Sequence, residues 1–218
     1  MSQDFRLDKI GLINRNKKIS FKFNGKKYFG YEGDTLASAL IANGVHLVGR
    51  SFKYHRPRGF FGAGVDEPYA IVQLYKNNEI EPNVRATEQE LFDGLKAKSV
   101  NCWPNVNFDI GAINNFLNKF IPAGFYYKTF MWPKSFWYKF YEPFVRKAAG
   151  FGVASTKHDQ EKYEHKYEYC DLLVTGSGPS GLASAYAAAK NGAKVILAED
   201  KPRFGGSLLT SEVNIGNQ

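Results

Sequence analysis

The chain has 218 residues, with 44% hydrophobic residues, 16% aromatic residues and a net charge of +8. This composition indicates a core-forming protein with room for one or two domains, and it excludes a disordered or low-complexity chain. The lysines are scattered without a nucleic-acid-binding motif. A basic surface that aids solubility or meets an acidic partner is therefore favoured over nucleic-acid binding.

The cysteine count and the absence of long apolar runs exclude further classes. Cys102 and Cys170 are the only cysteines, so a disulfide framework or a self-contained cysteine metal site is excluded, and no metal is expected. The first residues, MSQDFRLDKIG, lack the apolar core of a secretory signal. No apolar run reaches the roughly 18–20 residues that span a bilayer. We expect a cytoplasmic protein that makes no membrane contact.

The N-terminal part reads as a polar arm followed by a β-hairpin. Residues 1–16 are mostly polar and are expected to form the arm. Ile19–Phe23 alternates apolar with polar residues, Asn24-Gly25 is a strong hairpin turn, and Lys26–Tyr31 returns as the second strand.

Two helix starts follow from capping patterns. Asp34 is expected to cap a helix that ends before Gly44, because an acidic N-cap and a glycine just beyond the last turn are typical helix boundaries. Thr87 and Glu90 have capping-box spacing and predict a second, short helix.

Two more strands complete a small α+β domain. Glu67–Tyr75 and Glu79–Val84 read as strands, with Asn77-Asn78 as the turn between them. A hairpin, a helix and further strands within residues 17–98 predict a β-grasp domain, the architecture of plant-type ferredoxins.

In such ferredoxins the loop after the helix carries the cysteine ligands of a 2Fe-2S cluster. Here that loop is residues 49–59, and it contains no cysteine. His55 alone could not replace four thiolates and is expected to pack beside Tyr54. The loop carries four cations: Arg50, Lys53, Arg56 and Arg58. They form either a solvated charge run or a surface for an anionic cofactor or an acidic partner.

Residues 99–168 form an aromatic connector and a polar linker. The connector's aromatic residues are Trp103, Phe108, Phe116, Phe120, Phe125, Tyr126, Tyr127, Phe130, Trp132, Phe136, Trp137, Tyr138, Phe140, Tyr141, Phe144 and Phe151. Packing between domains is the favoured interpretation, and docking of a partner subunit is the main competitor. Stacking of single-stranded nucleic acid is a remote third.

Residues 169–218 begin a Rossmann-type dinucleotide-binding domain. An apolar strand leads into Gly176-Ser177-Gly178-Pro179-Ser180-Gly181, an Ala-rich helix follows, and a second strand ends at Glu199. In this motif the first glycine permits the turn, the second lets the pyrophosphate approach, and the third brings the helix close to the sheet. The helix N-terminus then holds the phosphates.

Glu199 bears on which dinucleotide is bound. An acid at the end of the second strand accepts hydrogen bonds from a free ribose 2′-hydroxyl, which favours NAD or FAD over NADP. Gly205-Gly206-Ser207 resembles the second glycine pair of two-dinucleotide flavoproteins. About 50 residues are too few for a whole Rossmann sheet, so this domain is expected to be truncated.

Together these segments resemble the N-terminal part of the α subunit of heterotetrameric sarcosine oxidase. The resemblance rests on RSFKYHRPRGFFGAGVDEPYA, the aromatic connector and CDLLVTGSGPSGLASAYAAAKNGAKVILAEDKPRFGGSLL, and it covers essentially the whole chain. It implies oxidative demethylation of sarcosine to glycine, with hydrogen peroxide and formaldehyde or 5,10-methylene-tetrahydrofolate as products. It also implies NAD in the α subunit, FAD in β, FMN between them, tetrahydrofolate on a C-terminal domain, and β, γ and δ subunits as partners.

The resemblance also implies a set of cofactor-binding residues. Ser180 would lie near the pyrophosphate, Glu199 to Lys201 would surround the ribose, and Ser207 would reach the phosphates. The full expected set is Gly176, Gly178, Pro179, Ser180, Gly181, Glu199, Asp200, Lys201, Gly206 and Ser207.

No catalytic residue is identified, so the chain alone is expected to be inactive. Two alternatives stay open. One is an α-type subunit of a related opine, proline or cyanide-forming glycine dehydrogenase. The other is an assembly module without catalytic function, in which the nucleotide fold is inert.

Overall fold

The computed structural model of the protein describes residues 3–9, 11–76, 79–124, 128, 130–158 and 162–209. The chain separates into two compact units, Met1–Asp159 and Gln160–Gln218. Most of the predicted connector therefore lies in the first unit, and the glycine motif lies in the second.

The first unit contains seven strands and three α-helices among its described residues. The strands are β1 (Asn14–Phe23), β2 (Lys26–Glu32), β3 (Gly49–Arg50), β4 (Pro57–Arg58), β5 (Ile71–Lys76), β6 (Glu79–Arg85) and β7 (Lys96–Ser99). The α-helices are α1 (Leu36–Ala42), α2 (Ile113–Phe116) and α3 (Glu142–Ala149). Shorter helical segments are the 3-10 turns Ile110–Ala112, Asn118–Phe120 and Lys134–Phe136 and the π-helix Trp137–Tyr141.

Five strands form one sheet in the order β2-β1-β7-β5-β6, with β1 and β7 parallel and the other pairs antiparallel. Asn24 and Gly25 have φ values of +49° and +82°, as a tight hairpin turn between β1 and β2 requires. Inward-facing Phe21, Phe23 and Val72 pack against helix α1 in the hydrophobic core. This arrangement confirms the predicted ferredoxin-like fold.

The start of helix α1 differs from the prediction. Thr35 is the N-cap, and it forms a capping box with Ser38. Asp34 is instead 1% exposed, and its carboxylate accepts hydrogen bonds from Arg6, the Tyr31 backbone and the Ser38 hydroxyl. The predicted cap at Asp34 is wrong because this side chain is used to anchor the N-terminal arm through Arg6.

Two other local expectations were also revised. The strand predicted from Glu67 begins at Ile71, because the Glu67 side chain organises the preceding loop. The capping-box pattern at Thr87 starts no helix. The Thr87 hydroxyl donates to Gly64 O at 2.9 Å, and Glu90 bridges to Thr35. The predicted turn at Asn77-Asn78 lies outside the described residues.

The connector aromatics contribute little to the core of the first unit. Trp132 and Phe116 are each 84% exposed, and Tyr138 is 83% exposed. Phe125, Tyr126 and Tyr127 lie outside the described residues. Among the described helices, none is both long enough and apolar enough to cross a membrane.

Candidate dinucleotide-binding site

The described residues of the second unit include two parallel strands joined by a helix. Strand β8 (Leu172–Thr175) pairs with β9 (Val195–Ala198) in register, and helix α4 (Pro179–Lys190) connects them. Parallel neighbours need such a crossover, and it places the helix N-terminus at the carboxyl end of β8. The predicted order of strand, glycine turn, helix and strand is therefore confirmed.

Two glycines are required by the geometry of the turn. Gly176 has φ of +93°, a left-handed conformation that favours glycine, and its N–H donates to Ala198 O at 2.7 Å. A Cβ at Gly181 would lie 2.0 Å from the carbonyl oxygen of Gly176. Any side chain at Gly181 would push the helix away from the turn.

Gly178 differs from both, because neither the backbone nor packing requires a glycine there. It is the N-cap of helix α4 with an ordinary φ of −65°, and a Cβ would meet no atom within 4 Å. The space that a side chain would fill lies in front of the helix N-terminus. The first N–H groups of a helix have no intrahelical partner and favour an anion. The vacant side of Gly178 thus fits the pyrophosphate of a dinucleotide.

Glu199 cross-links the end of β9 to the glycine turn. Its Oε2 accepts the Ser177 N–H at 2.6 Å and the Ser177 hydroxyl at 2.5 Å, while Oε1 accepts the N–H groups of Asp200 and Lys201. The donors at Ser177 first, and then those of the two following residues, lower the pKa of Glu199 to about 2. The carboxylate is therefore ionised at neutral pH and aimed at the turn.

Ser177 is a residue that the motif analysis missed. It is fully buried, and its carbonyl accepts the Gly205 N–H at 3.0 Å. A Cβ at Gly206 would lie 2.9 Å from Gly178 Cα, so the second glycine pair packs directly on the first turn. The only sequence signal for Ser177 is a hydroxyl residue placed between the two turn glycines.

The other expected binding residues lie at the surface of this unit. Pro179 occupies the first turn of α4, and Ser180, Asp200, Lys201 and Ser207 are all exposed. The Asp200 carboxylate and the Lys201 ammonium are 3.8 Å apart. Ser207 lies in a 3-10 turn, Gly206–Leu209, directly after the second glycine pair.

The loop at the cluster position of the ferredoxin-like fold is held by the chain itself. Strands β3 and β4 pair around it, and the Arg50 guanidinium donates to Val106 O at 2.6 and 2.9 Å. Three more side chains donate to the same following segment: Lys53 Nζ to Pro122 O (2.8 Å), Tyr54 Oη to Ile121 O (2.9 Å) and Arg56 Nε to Asn115 Oδ1 (2.9 Å). We call residues 50–56 with residues 101–122 the loop clamp. Much of the basic loop is thus committed to contacts within the chain.

His55 and Asp109 form the centre of the loop clamp. His55 Nδ1 lies 2.6 Å from Asp109 Oδ2, with side-chain exposures of 11% and 0%. The second oxygen of Asp109 accepts the Trp103 and Gly111 N–H groups. A Cβ at Gly111 would lie 2.3 Å from His55 Nδ1. His55 therefore pairs with Asp109, where the sequence favoured packing beside Tyr54. Across the described ranges, no three metal-ligating side chains cluster.

Glu67 organises the loop that follows the clamp. This 1%-exposed carboxylate accepts four backbone N–H groups, from Phe61, Gly62, Tyr69 and Ala70, at 2.6–3.0 Å. Burial raises its pKa, but the four donors outweigh burial and hold the pKa below its usual value.

Two family models match the chain. Residues 16–102 match a 2Fe-2S iron–sulfur cluster binding domain, and residues 171–215 match an FAD dependent oxidoreductase. The chain therefore combines a ferredoxin-like domain with the start of a flavoprotein dinucleotide-binding fold. The sequence contains only two cysteines, fewer than the four thiolates that hold such a cluster.

Similar proteins were also found by sequence. The sarcosine oxidase subunit alpha of Rhizobium meliloti (strain 1021) is 56% identical over 97% of this chain, which covers 21% of that protein. The subunit alpha of Corynebacterium sp. (strain U-96) is 29% identical over 90% of the chain and 16% of its own length. The chain thus spans about a fifth of these relatives, and the resemblance seen in the sequence is confirmed.

A solved structure of L-proline dehydrogenase from P. horikoshii matches at a TM-score of 0.44 and 19% identity. The match covers 89% of this chain and 27% of that one.

Proposed function

Since this chain aligns along 97% of its length with a sarcosine oxidase subunit alpha, we propose that it is the corresponding N-terminal portion of such a subunit in a flavoenzyme complex. The complex would oxidatively demethylate sarcosine to glycine; the alternative substrates are those of a related opine, proline or cyanide-forming glycine dehydrogenase. The electrons would reduce oxygen to hydrogen peroxide, and the one-carbon unit would be released as formaldehyde or 5,10-methylene-tetrahydrofolate. FMN, FAD and tetrahydrofolate would be held largely by parts of the complex outside this chain.

The role proposed for this chain is to bind a dinucleotide at the glycine turn. The geometry at Gly178 carries the proposal, because glycine there leaves open space beside a helix N-terminus and serves no other visible purpose. Helix α4 would orient the pyrophosphate through its first N–H groups, with Ser180 and Ser207 beside it. A bound dinucleotide would supply the redox chemistry, whether its reactive part is a flavin or a nicotinamide.

Glu199 would select a ribose with a free 2′-hydroxyl. Its carboxylate is ionised and already accepts the Ser177 hydroxyl, so a ribose hydroxyl would take the place of that donor on Oε2. A 2′-phosphate would instead meet a like charge. We therefore propose NAD or FAD at this site. The family model of residues 171–215 supports a flavin, whereas the subunit resemblance supports NAD.

A second proposed role is docking of partner subunits. The connector aromatics Phe116, Phe120 and Trp132 are each more than 80% exposed, and aromatic residues are enriched at protein interfaces. This observation also favours the alternative in which the chain is only an assembly module. No residue here is proposed as catalytic.

The test is isothermal titration calorimetry of the natural full-length product with FAD, NAD and NADP. We expect a dissociation constant of about 1 μM for NAD or FAD, and at least about tenfold weaker binding of NADP. Gly178→Ala and Glu199→Ala should abolish binding, while Glu164→Gln, which neutralises an exposed carboxylate of the same unit, should leave it unchanged. A wild-type protein that binds none of the three nucleotides would exclude the nucleotide role and leave partner docking.

A further inference from the structure

The outer face of the five-stranded sheet carries a row of lysines in direct cross-strand register. Lys22 pairs with Lys27 on β2 and with Lys96 on β7, so three lysines are direct cross-strand neighbours on three strands. Neighbouring strands are about 4.8 Å apart, so like charges in such a row repel one another. Lys98 follows two residues along β7 on the same face. We call Lys22, Lys27, Lys96 and Lys98 the lysine row.

The lysine row has no carboxylate partner among the residues that the structure describes. Across the ranges that the structure describes, none of its four members forms an ion pair. At the other end of the hairpin Glu32 pairs with Lys17. Asp93, which accepts the Ser20 N–H and hydroxyl, and Glu79 form no ion pair with the row among the described residues. The opposite end of the same hairpin is therefore neutralised, while the lysine row is not.

Three members of the row line an open cleft within the first unit. The cleft has a volume of about 1350 Å³, and Lys22, Lys96 and Lys98 form its basic floor. Its other walls include the apolar residues Ile80 and Val153 and two carboxylates, Glu79 and Asp93. The segment that contains Val153 crosses this face, since its N–H donates to the Gln73 side chain at 3.1 Å. The cleft therefore combines three lysines that form no ion pair among the described residues with partly apolar walls, which is the form of a binding cleft.

We propose that this cleft binds an acidic segment of a partner polypeptide, whose carboxylates would lie on the lysine row. The backbone N–H groups of β1 and β7 are used within the sheet, as with Lys22 N to Leu95 O at 2.8 Å. The floor therefore offers separate ammonium groups and no backbone donors of the kind that cradle a phosphate. Same-face side chains of an extended peptide repeat at about 6.8 Å, which is the spacing of Lys96 and Lys98 along β7. This inference needs the partner subunits of the proposed function but not the nucleotide site.

The first arm of the test measures binding. A fluorescently labelled oligoglutamate peptide is titrated with the full chain and followed by anisotropy. We expect Lys22→Gln combined with Lys96→Gln to weaken binding at least about tenfold, and added salt to weaken wild-type binding strongly. The control Lys17→Gln removes a lysine of the same hairpin that is already paired, and it should leave the affinity unchanged.

The second arm measures stability without any peptide. Unfolding of the first unit is followed by the circular dichroism of its five-stranded sheet. Because Lys96→Gln relieves the repulsion between neighbouring lysines, it should raise the thermal unfolding midpoint by about 2–4 °C, whereas Lys17→Gln should not raise it.

A peptide affinity that does not change in the double variant Lys22→Gln, Lys96→Gln would overturn the proposal. Tighter binding of single-stranded DNA or tripolyphosphate than of the peptide would overturn the proposed class of ligand. Neither result would bear on nucleotide binding at the glycine turn.

Discussion

Two loops of this molecule occupy positions where related folds hold a cofactor, and they differ in how far their polar groups are bonded within the chain. The side chains of residues 50–56, among them Arg50 and His55, form hydrogen bonds with the segment 101–122 of the same chain. In residues 176–181 the backbone is fixed by glycines, while the side of Gly178 facing away from the turn is left open.

The difference shows how a loop that binds a ligand can be told from one that only supports structure. Polar groups in the loop clamp are satisfied by the chain itself, so a ligand would have to break existing contacts. At the glycine turn Glu199 is also satisfied by the chain, but the first N–H groups of helix α4 have no intrahelical partner and the side-chain position of Gly178 is open. A count of basic residues would favour residues 50–56 as the ligand-binding loop, but the contacts in the structure favour residues 176–181.

The largest expected effect separates two glycines of the same turn. Gly181→Ala should prevent the second unit from forming its helix–strand contact, because the new Cβ would overlap the Gly176 carbonyl at 2.0 Å. Gly178→Ala should cost only about 0.5–1 kcal/mol of stability, because alanine is a poorer N-cap than glycine but its Cβ would meet no atom within 4 Å. Limited proteolysis of the two variants measures the difference. Equal protease resistance would break the distinction drawn between these glycines.

Asp109→Ala should be the most destabilising change in the loop clamp. It leaves His55 and two backbone N–H groups buried without their acceptor, which costs about 2–4 kcal/mol. The measurement is urea unfolding of the first unit, followed by circular dichroism. The matched control is Asp66→Ala, an exposed acid in a nearby loop, which should stay within about 0.5 kcal/mol of wild type. Similar losses in both variants would show that the clamp adds no specific stability.

Glu67→Gln should destabilise the first unit by about 1.5–3 kcal/mol at pH 7, because two of four N–H groups lose a carboxylate acceptor. The folded pKa of Glu67 is lowered. Its contribution is therefore fully present above its unfolded pKa of about 4.3 and is lost as the pH falls through the lower folded value. Urea unfolding of the wild type and of Glu67→Gln is measured between pH 7 and pH 3. The difference between their free energies of unfolding should become smaller as the pH falls. A difference that became larger would contradict the role assigned to the Glu67 carboxylate.

The exposed cations of the loop clamp should matter least. Arg56→Gln removes an exposed hydrogen bond to Asn115, and exposed polar contacts of this kind contribute about 0–1 kcal/mol. Its nucleotide affinity should equal that of wild type, because the contact lies in the other unit. A loss of nucleotide binding in this variant would contradict the separation of the two loops.

The sequence predicted what depends on local patterns. Asn24-Gly25 turns a hairpin and the glycines of residues 176–181 open a helix because each constraint involves residues a few positions apart. It could not predict Asp109, because its partner His55 lies 54 residues away and a loop aspartate has many possible uses. Ser177 was missed for a similar reason, since the acceptor for its hydroxyl is 22 residues further along.

The helix cap shows competition between local and distant contacts. Asp34 and Thr35 can both cap a helix, and the sequence alone favours the acid. The structure gives the cap to Thr35, because Asp34 is taken by Arg6 from the N-terminal arm, 28 residues away. Prediction of a helix cap from the local sequence fails where a charged residue far along the chain binds the side chain that would otherwise form the cap.

Hydrogen exchange with and without FAD or NAD tests the contrast between the two loops most directly. Backbone amides of residues 176–182 and of 199–201 should gain protection when the nucleotide binds, while those of residues 50–56 should not change. Protection in residues 50–56, or none in residues 176–182 at saturating nucleotide, would contradict the account.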